Sequence, residues 1–246
     1  LIPASEIPEL ADLPLSEHLD ADLTERLGVT KFLAPIPAAL QASSKGSRPS
    51  FVPKTDEPRL QSNMWLLPIL QKNASYVTLK YDGTSFSAYR WEGTFGVCSR
   101  NMDLKQGENA YWNLATALCL PDTLPEGFVI QGEMCGPNIQ NNRLGLLKNR
   151  LFVFNIWDIT AQRYLPLDDM LRFVNQLRHS APELETVALL AEKHTDPYEL
   201  ADWLEVADNA RYPNGAIAEG IVIRTHASDR LSCKVISNNF LLKHGE

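Results

Sequence analysis

Lys80-Tyr81-Asp82-Gly83-Thr84-Ser85 sets a lysine at the end of a β-like run, Tyr76 to Lys80, with a carboxylate two residues on and an Asp-Gly turn signal behind it. A lysine amine becomes a nucleophile when desolvation or nearby positive charge lowers its pKa. A metal ion held by Asp82 and other carboxylates would favour the neutral amine. Covalent catalysis is therefore one reading of this hexad. A strand-end surface lysine beside an ordinary Asp-Gly turn is the other, and the hexad alone does not separate them. The four cysteines, Cys98, Cys119, Cys135 and Cys233, form no CxxC pair, and the five histidines show no metal-ligand spacing, so no structural zinc site is expected.

Such a turn needs strands to hold it. β-like runs are predicted at Tyr76 to Lys80, Phe86 to Trp91, Phe95 to Cys98, Phe128 to Gln131, Leu151 to Ile159, Gly220 to Arg224 and Leu231 to Val235. Helical patterns fall at Asn109 to Cys119, Leu167 to His179 and Pro197 to Asp208, with Pro197 suited to a helix start. Without a regular βαβ rhythm, the fold class expected is α+β with antiparallel β-sheets flanked by helices. The first fifty residues are punctuated by Pro3, Pro8, Pro14, Pro35 and Pro37 and carry a helical pattern of Leu15, Leu19, Leu23 and Leu27. They read as a connector with a docking helix. Small polar residues 42–50 suggest a boundary, giving domains 1–50 and 51–246.

Lys80-Tyr81-Asp82-Gly83 resembles the KxDG motif of the covalent nucleotidyltransferase superfamily, which includes DNA ligases, RNA ligases and mRNA capping enzymes. Further motifs follow in order. Ser99-Arg100-Asn101 resembles the second, whose arginine lies near the ribose and phosphates. Ile130-Gln131-Gly132-Glu133 resembles the third, and its extension Met134-Cys135-Gly136-Pro137-Asn138-Ile139-Gln140 is similar to the GE..GP.IQ pattern of RNA ligases. Phe152 to Ile156 resembles the strand whose aromatic residue, here Phe154, stacks on adenine. Ala218-Glu219-Gly220-Ile221-Val222-Ile223 resembles EGhVh, with Glu219 toward the metal, and Ser232-Cys233-Lys234-Val235 resembles the final KxK. Ser232 replaces the first lysine there, so only Lys234 carries over, with Arg230 as a weak substitute. Phe51 to Gln61 resembles a segment of the RNA-ligase branch typified by Deinococcus and Naegleria enzymes, from which Arg59, and more weakly Lys54, carry over as phosphate contacts.

The resemblance covers about residues 51 to 245 and implies an ATP-grasp-like adenylation domain. It implies Lys80 as the nucleophile; Lys54, Arg59, Asp82, Arg100, Glu133, Phe154, Glu219 and Lys234 as nucleotide contacts; and Asp82, Glu133 and Glu219 as metal-linked carboxylates. The cofactors implied are ATP, as covalent AMP, and Mg²⁺ or Mn²⁺. The partners implied are RNA ends, in nicked duplex RNA or an RNA/DNA hybrid. In that branch an OB-type domain precedes this one, so residues 1–50 would be its tail. DNA ligases and capping enzymes continue into an OB domain after the last motif, whereas 246 − 234 leaves twelve residues here, which favours the RNA-ligase branch.

A formal net charge of -7 and a pI near 5.3 argue against a general nucleic-acid coat, because non-specific affinity comes from Lys and Arg neutralising phosphates. Any RNA contact is a local basic site, and Arg143, Lys148 and Arg150 read as a solvated face rather than an RNA-binding edge. No apolar stretch reaches the ~20 residues of a membrane span and no secretion signal is visible. The expectation is a monomeric cytoplasmic enzyme with reduced thiols. The other readings are a GTP-dependent capping-type guanylyltransferase and a non-catalytic nucleotide- or RNA-binding module.

Overall fold

The computed structural model describes residues 7–8, 24–25, 27–29, 43–227 and 230–245. The chain divides into two units, Leu1–Gln41 and Ala42–Glu246. In the first, the described residues include a turn in which Gly28 and Val29 donate to Glu25 and Thr24 carbonyls. The expected docking helix of Leu15, Leu19, Leu23 and Leu27 falls almost entirely outside the described residues.

The second unit is built from two sheets. The larger has eight strands in the order β1 (Ser44–Ser47), β5 (Met102–Leu104), β4 (Thr94–Cys98), β3 (Thr84–Trp91), β6 (Phe128–Cys135), β7 (Arg150–Asp158), β8 (Arg163–Tyr164), with β9 (Glu185–Thr186) pairing β7 in parallel. The smaller has the order β10 (Leu189–His194), β2 (Ser75–Lys80), β11 (Gly220–Thr225), β12 (Ser232–Ile236), all antiparallel. The fold is α+β with antiparallel sheets, as the strand-rich, non-rhythmic pattern implies. The polar stretch 42–50, expected to be a boundary, contains β1, whose backbone pairs with β5.

Period-two alternation decides which side chains face the space between the sheets. On β2, Val77 and Leu79 join Ile221, Ile223, Cys233 and Val235 in a core capped by α1 (Leu67–Lys72) and by Trp203 and Ala207 of α5 (Leu200–Asn209). Thr78 and Lys80 therefore face the other way, alongside Val222, Arg224, Ser232 and Lys234 by cross-strand register. On the large sheet, Phe86, Ile130, Met134, Leu151 and Val153 bury under α2 (Ala110–Ala117), α3 (Leu120–Thr123) and α4 (Leu167–Leu177). Ser85, Ser87, Gln131 and Glu133 are left on the opposite face.

Helix ends follow local chemistry. Asn109 caps α2 by accepting from the Tyr111 and Trp112 amides. At α5 the start is set by a reciprocal capping box of Glu199 and Asp202 rather than by Pro197. The last helix, α6 (Asn238–His244), is capped by Ser237 and ends at Gly245, whose φ of 71 suits a left-handed terminus. Among the described residues, no helix is long and apolar enough to cross a membrane.

Candidate active site

Register places the lysine. Gly220 pairs with Lys80, so Glu219, one residue before β11, lies at the end of β2, and Lys80 Nζ donates to its Oε2 at 2.6 Å. The Tyr212 hydroxyl binds this corner together: it donates to Lys80 O at 3.0 Å and accepts from the amides of Asp82 at 2.9 Å and Glu219 at 3.2 Å. The turn itself requires glycine. A Cβ on Gly83 would meet Met134 O, Cys135 Sγ and the Glu133 side chain, so the turn lies flat against β6. That contact brings Glu133 to the lysine.

A segment from Arg48 to Glu57 crosses the polar face of the large sheet. Arg48 donates to Ser87 Oγ at 2.6 Å, Gln131 Nε2 to Pro53 O at 2.7 Å, and Thr55 and Ser85 hydroxyls meet at 2.7 Å. These bonds satisfy groups that would otherwise be buried and unpaired, and they set Thr55, Asp56 and Glu57 above the lysine. The resulting space has two joined parts. An outer chamber of about 450 Å³ is lined by Lys80, Asp82, Arg100, Glu133, Glu219 and Lys234. An inner slot of about 60 Å³ runs past Thr78, Phe154, Val222 and Arg224, and shares Thr55, Glu57, Lys80 and Glu133 with the chamber. A larger cavity of about 610 Å³, beside α2, holds none of these groups.

Phe154 reaches the slot through a bulge. Gln131 pairs with Asn155 and the next residue, Gly132, with Val153, which leaves Phe154 as the extra residue on β7. Bulges of this kind re-aim a side chain beside a site. Behind it, the fully buried Arg224 sits 5.7 Å from the Phe154 ring and donates to Thr78 Oγ1 at 3.2 Å and Glu57 Oε1 at 3.3 Å.

The charges are coupled. Burial alone would lower the Lys80 pKa, but Glu219, then Glu133 and Asp82, outweigh it and hold the ammonium above its ordinary value. Burial pushes Glu133 up to about 7, against the opposing pull of Lys80. The Lys234 pKa is lowered by burial and by the neighbouring Lys80 charge. The free site therefore holds its lysine protonated and bonded to Glu219. Nucleophilic attack requires that bond to be broken.

The structure brings together seven of the residues singled out from sequence: Lys80, Asp82, Arg100, Glu133, Phe154, Glu219 and Lys234. Arg100 pairs with Asp56 at the chamber's exposed edge. Lys54 is exposed and lines neither part. Arg59 lines neither part; its backbone bridges to Lys234, and its Nε is buried without a partner. Arg230 is no substitute for the missing lysine at 232. It donates to Asn155 at 3.0 Å, stacks on Tyr164 and lines a separate cavity. The cation across from Ser232 is Arg224.

One expectation needs correction. The Asp82 carboxylate, in the same chamber as Glu133 and Glu219, pairs with Arg143. Arg143 accordingly is not part of a solvated face, because its side chain is 8% exposed. Glu133 and Glu219 form an all-oxygen donor pair, which suits a hard cation that takes its other ligands from water and phosphates. Tyr212 and Arg143 escaped sequence reasoning. Neither sits in a patterned element, and each acts through contacts more than 60 residues distant in the chain, |i−j| being 132 for Tyr212 to Lys80 and 61 for Arg143 to Asp82.

A family model described as RNA ligase matches residues 74–236. Three solved structures of Naegleria gruberi RNA ligase are similar to this chain. A mutant with ATP and Mn gives a TM-score of 0.81 at 30% identity, covering 99% of this chain and 71% of that one. The form with PPi gives 0.80 at 31% identity, with 99% and 72% covered. A mutant with AMP and Mn gives 0.81 at 30% identity, again with 99% and 72% covered. No curated protein matches the chain.

Proposed function

The chain belongs to the RNA ligase family, and on that premise we propose that it takes AMP from ATP onto Lys80, passes it to a 5′-phosphorylated RNA end and seals that end to a 3′-hydroxyl at nicks in duplexes. The observation that carries this reading is Lys80 standing where the polar chamber meets the Phe154 and Val222 slot, with Glu133, Glu219 and Lys234 around it. In this reading adenine takes the slot lined by Phe154 and Val222, and the phosphates lie in the chamber. The Naegleria structures with ATP, with AMP and with PPi contain the substrate and both fragments of such a first step.

In that step Lys80 Nζ attacks the α-phosphorus, the N–P bond forms, the bond to the β-phosphate oxygen breaks and pyrophosphate leaves. Nζ must first lose a proton and its bond to Glu219. Glu133 and Glu219 would hold Mg²⁺ or Mn²⁺, which when bound would supply positive charge to favour the neutral amine and offset the repulsion among phosphate oxygens. Lys234 donates to α-phosphate oxygens as charge develops there, and Arg100 contacts ribose or phosphate at the chamber's edge.

A phosphate oxygen of the RNA 5′ end then displaces Lys80 from the AMP phosphorus, and a 3′-hydroxyl attacks the activated 5′-phosphate to release AMP. The nick preference rests on charge and proximity. A chain of net charge -7 has little general attraction for separate strands, and a nicked duplex already holds both ends together. Sealing of nicked duplex RNA, of splinted ends with a gap and of free single strands is the test. The nick should be sealed fastest, and equal rates on single strands would contradict the preference.

A further inference from the structure

The loop after β6 carries three non-glycine residues in the left-handed region: Asn138 at φ 62, Gln140 at φ 45 and Asn142 at φ 43. Such conformations persist where the surroundings over-determine them, and they cluster at functional sites. Here the surroundings are specific. Asn142 brackets Leu146, donating to its carbonyl at 2.9 Å and accepting from its amide at 3.0 Å, and Asn214 Nδ2 donates to Arg143 O at 2.9 Å. The loop so fixed delivers two side chains to consecutive residues of the lysine turn. Gln140 Nε2 donates to Gly83 O at 3.2 Å, and Arg143 Nε pairs with Asp82 Oδ2.

Arg143 is backed from its other side by α6. Its guanidinium lies 4.7 Å from the Phe240 ring centroid, and Nη1 is 2.7 Å from His244 Nδ1. The pair is buried, with side-chain exposures of 8% for Arg143 and 11% for Asp82. Arg143 lines neither the chamber nor the slot, so nucleotide contact does not account for a buried cation at this place.

We infer that Arg143 is a positioning residue, which through Asp82 holds the Lys80–Gly83 turn so that Nζ is aimed between Glu133 and Glu219. The inference rests on the ligase reading above. Three features restrain the turn: Tyr212 at its amide, Gln140 at Gly83 O and Arg143 at the Asp82 carboxylate. The last is a charge pair, at the other end of the turn from Lys80–Glu219, and it connects the turn to α6. Misplacement of a reacting group by about 1 Å can lower a rate by ~10²-fold. Loss of Arg143 should therefore slow chemistry without weakening nucleotide binding.

The test is single-turnover self-adenylation of the full chain with α-labelled ATP and Mg²⁺, for wild type, Arg143→Ala, Arg143→Lys, Asp82→Asn and the Asp82→Asn/Arg143→Ala double variant. Arg143→Ala should lower the maximal rate by about ten- to a hundredfold with the half-saturating ATP concentration unchanged. Arg143→Lys should recover part of that loss. In the Asp82→Asn background Arg143→Ala should cost almost nothing more, because the two act as one unit. If thermal unfolding shows that Arg143→Ala has not folded, Arg143→Gln takes its place and must remain slower than Arg143→Lys. A wild-type maximal rate in Arg143→Ala, a change confined to half-saturation, or the same loss in both backgrounds overturns the inference. A wild-type chain that takes no label overturns the ligase reading itself, and this inference falls with it.

Discussion

Replacing Glu133 by glutamine should stabilise the metal-free protein at alkaline pH while it disables the site. Burial places the Glu133 pKa at about 7 against an ordinary 4.5. The difference, 7 − 4.5, is 2.5 units, or about 3 kcal/mol at ~1.36 kcal/mol per unit. The folded pKa lies above the unfolded one, so the stability linked to this proton is fully present below about pH 4.5 and is lost as pH rises to about 7 and beyond. The pKa of about 7 already contains the attraction of Lys80, which pulls it down against burial, so the amide keeps the whole difference. The expectation is about 3 kcal/mol above pH 7.5, a Tm higher by roughly 6–12 °C for a domain of this size. Thermal unfolding of wild type and Glu133→Gln with EDTA at pH 5 and pH 8 measures it. The two proteins should be close at pH 5 and the variant more stable at pH 8. A difference independent of pH, or a variant less stable at pH 8, would refute the reasoning.

The same carboxylate implies that self-adenylation falls as pH drops through about 7, because a protonated Glu133 cannot hold a cation; a rate that stays flat from pH 8 to pH 6 contradicts this. Phe154→Ala removes one wall of the slot and should raise the half-saturating ATP concentration by about tenfold or more, from ~1–3 kcal/mol per stacked base, as read by ATP titration of the labelling rate. Tyr212→Phe deletes the hydroxyl that serves Lys80 O and the amides of Asp82 and Glu219. It should cost ~1–3 kcal/mol in unfolding experiments and slow labelling at saturating ATP, since two buried donors lose their acceptor.

Much of the fold could be read from the chain because its strands are patterned. Tyr76 to Lys80, Phe128 to Gln131 and Gly220 to Arg224 alternate or run apolar, and each is a strand in the structure, β6 extending on to Cys135. Missed elements lack that pattern. β10 is Leu-Leu-Ala-Glu-Lys-His at a sheet edge, with both leucines exposed, and β1 is four small polar residues held by pairing with β5. The site shows the same division. Lys80, Glu133, Glu219 and Lys234 lie at strand ends or on strands, where order along the chain fixes order in space. The partner of Asp82 was not legible, because it is delivered by a loop of left-handed residues and Arg143 carries no local signal. Arg230 stands two residues before Ser232 in sequence, yet Arg224 is the cation that cross-strand pairing sets opposite it.

The most direct test of the central claim is denaturing-gel and intact-mass analysis of the chain after incubation with α-labelled ATP or GTP and Mg²⁺ or Mn²⁺, wild type beside Lys80→Ala. The account predicts one AMP added to wild type from ATP, none from GTP and none on Lys80→Ala, with Lys80→Ala still able to seal a pre-adenylated RNA nick. Label retained by Lys80→Ala would contradict it.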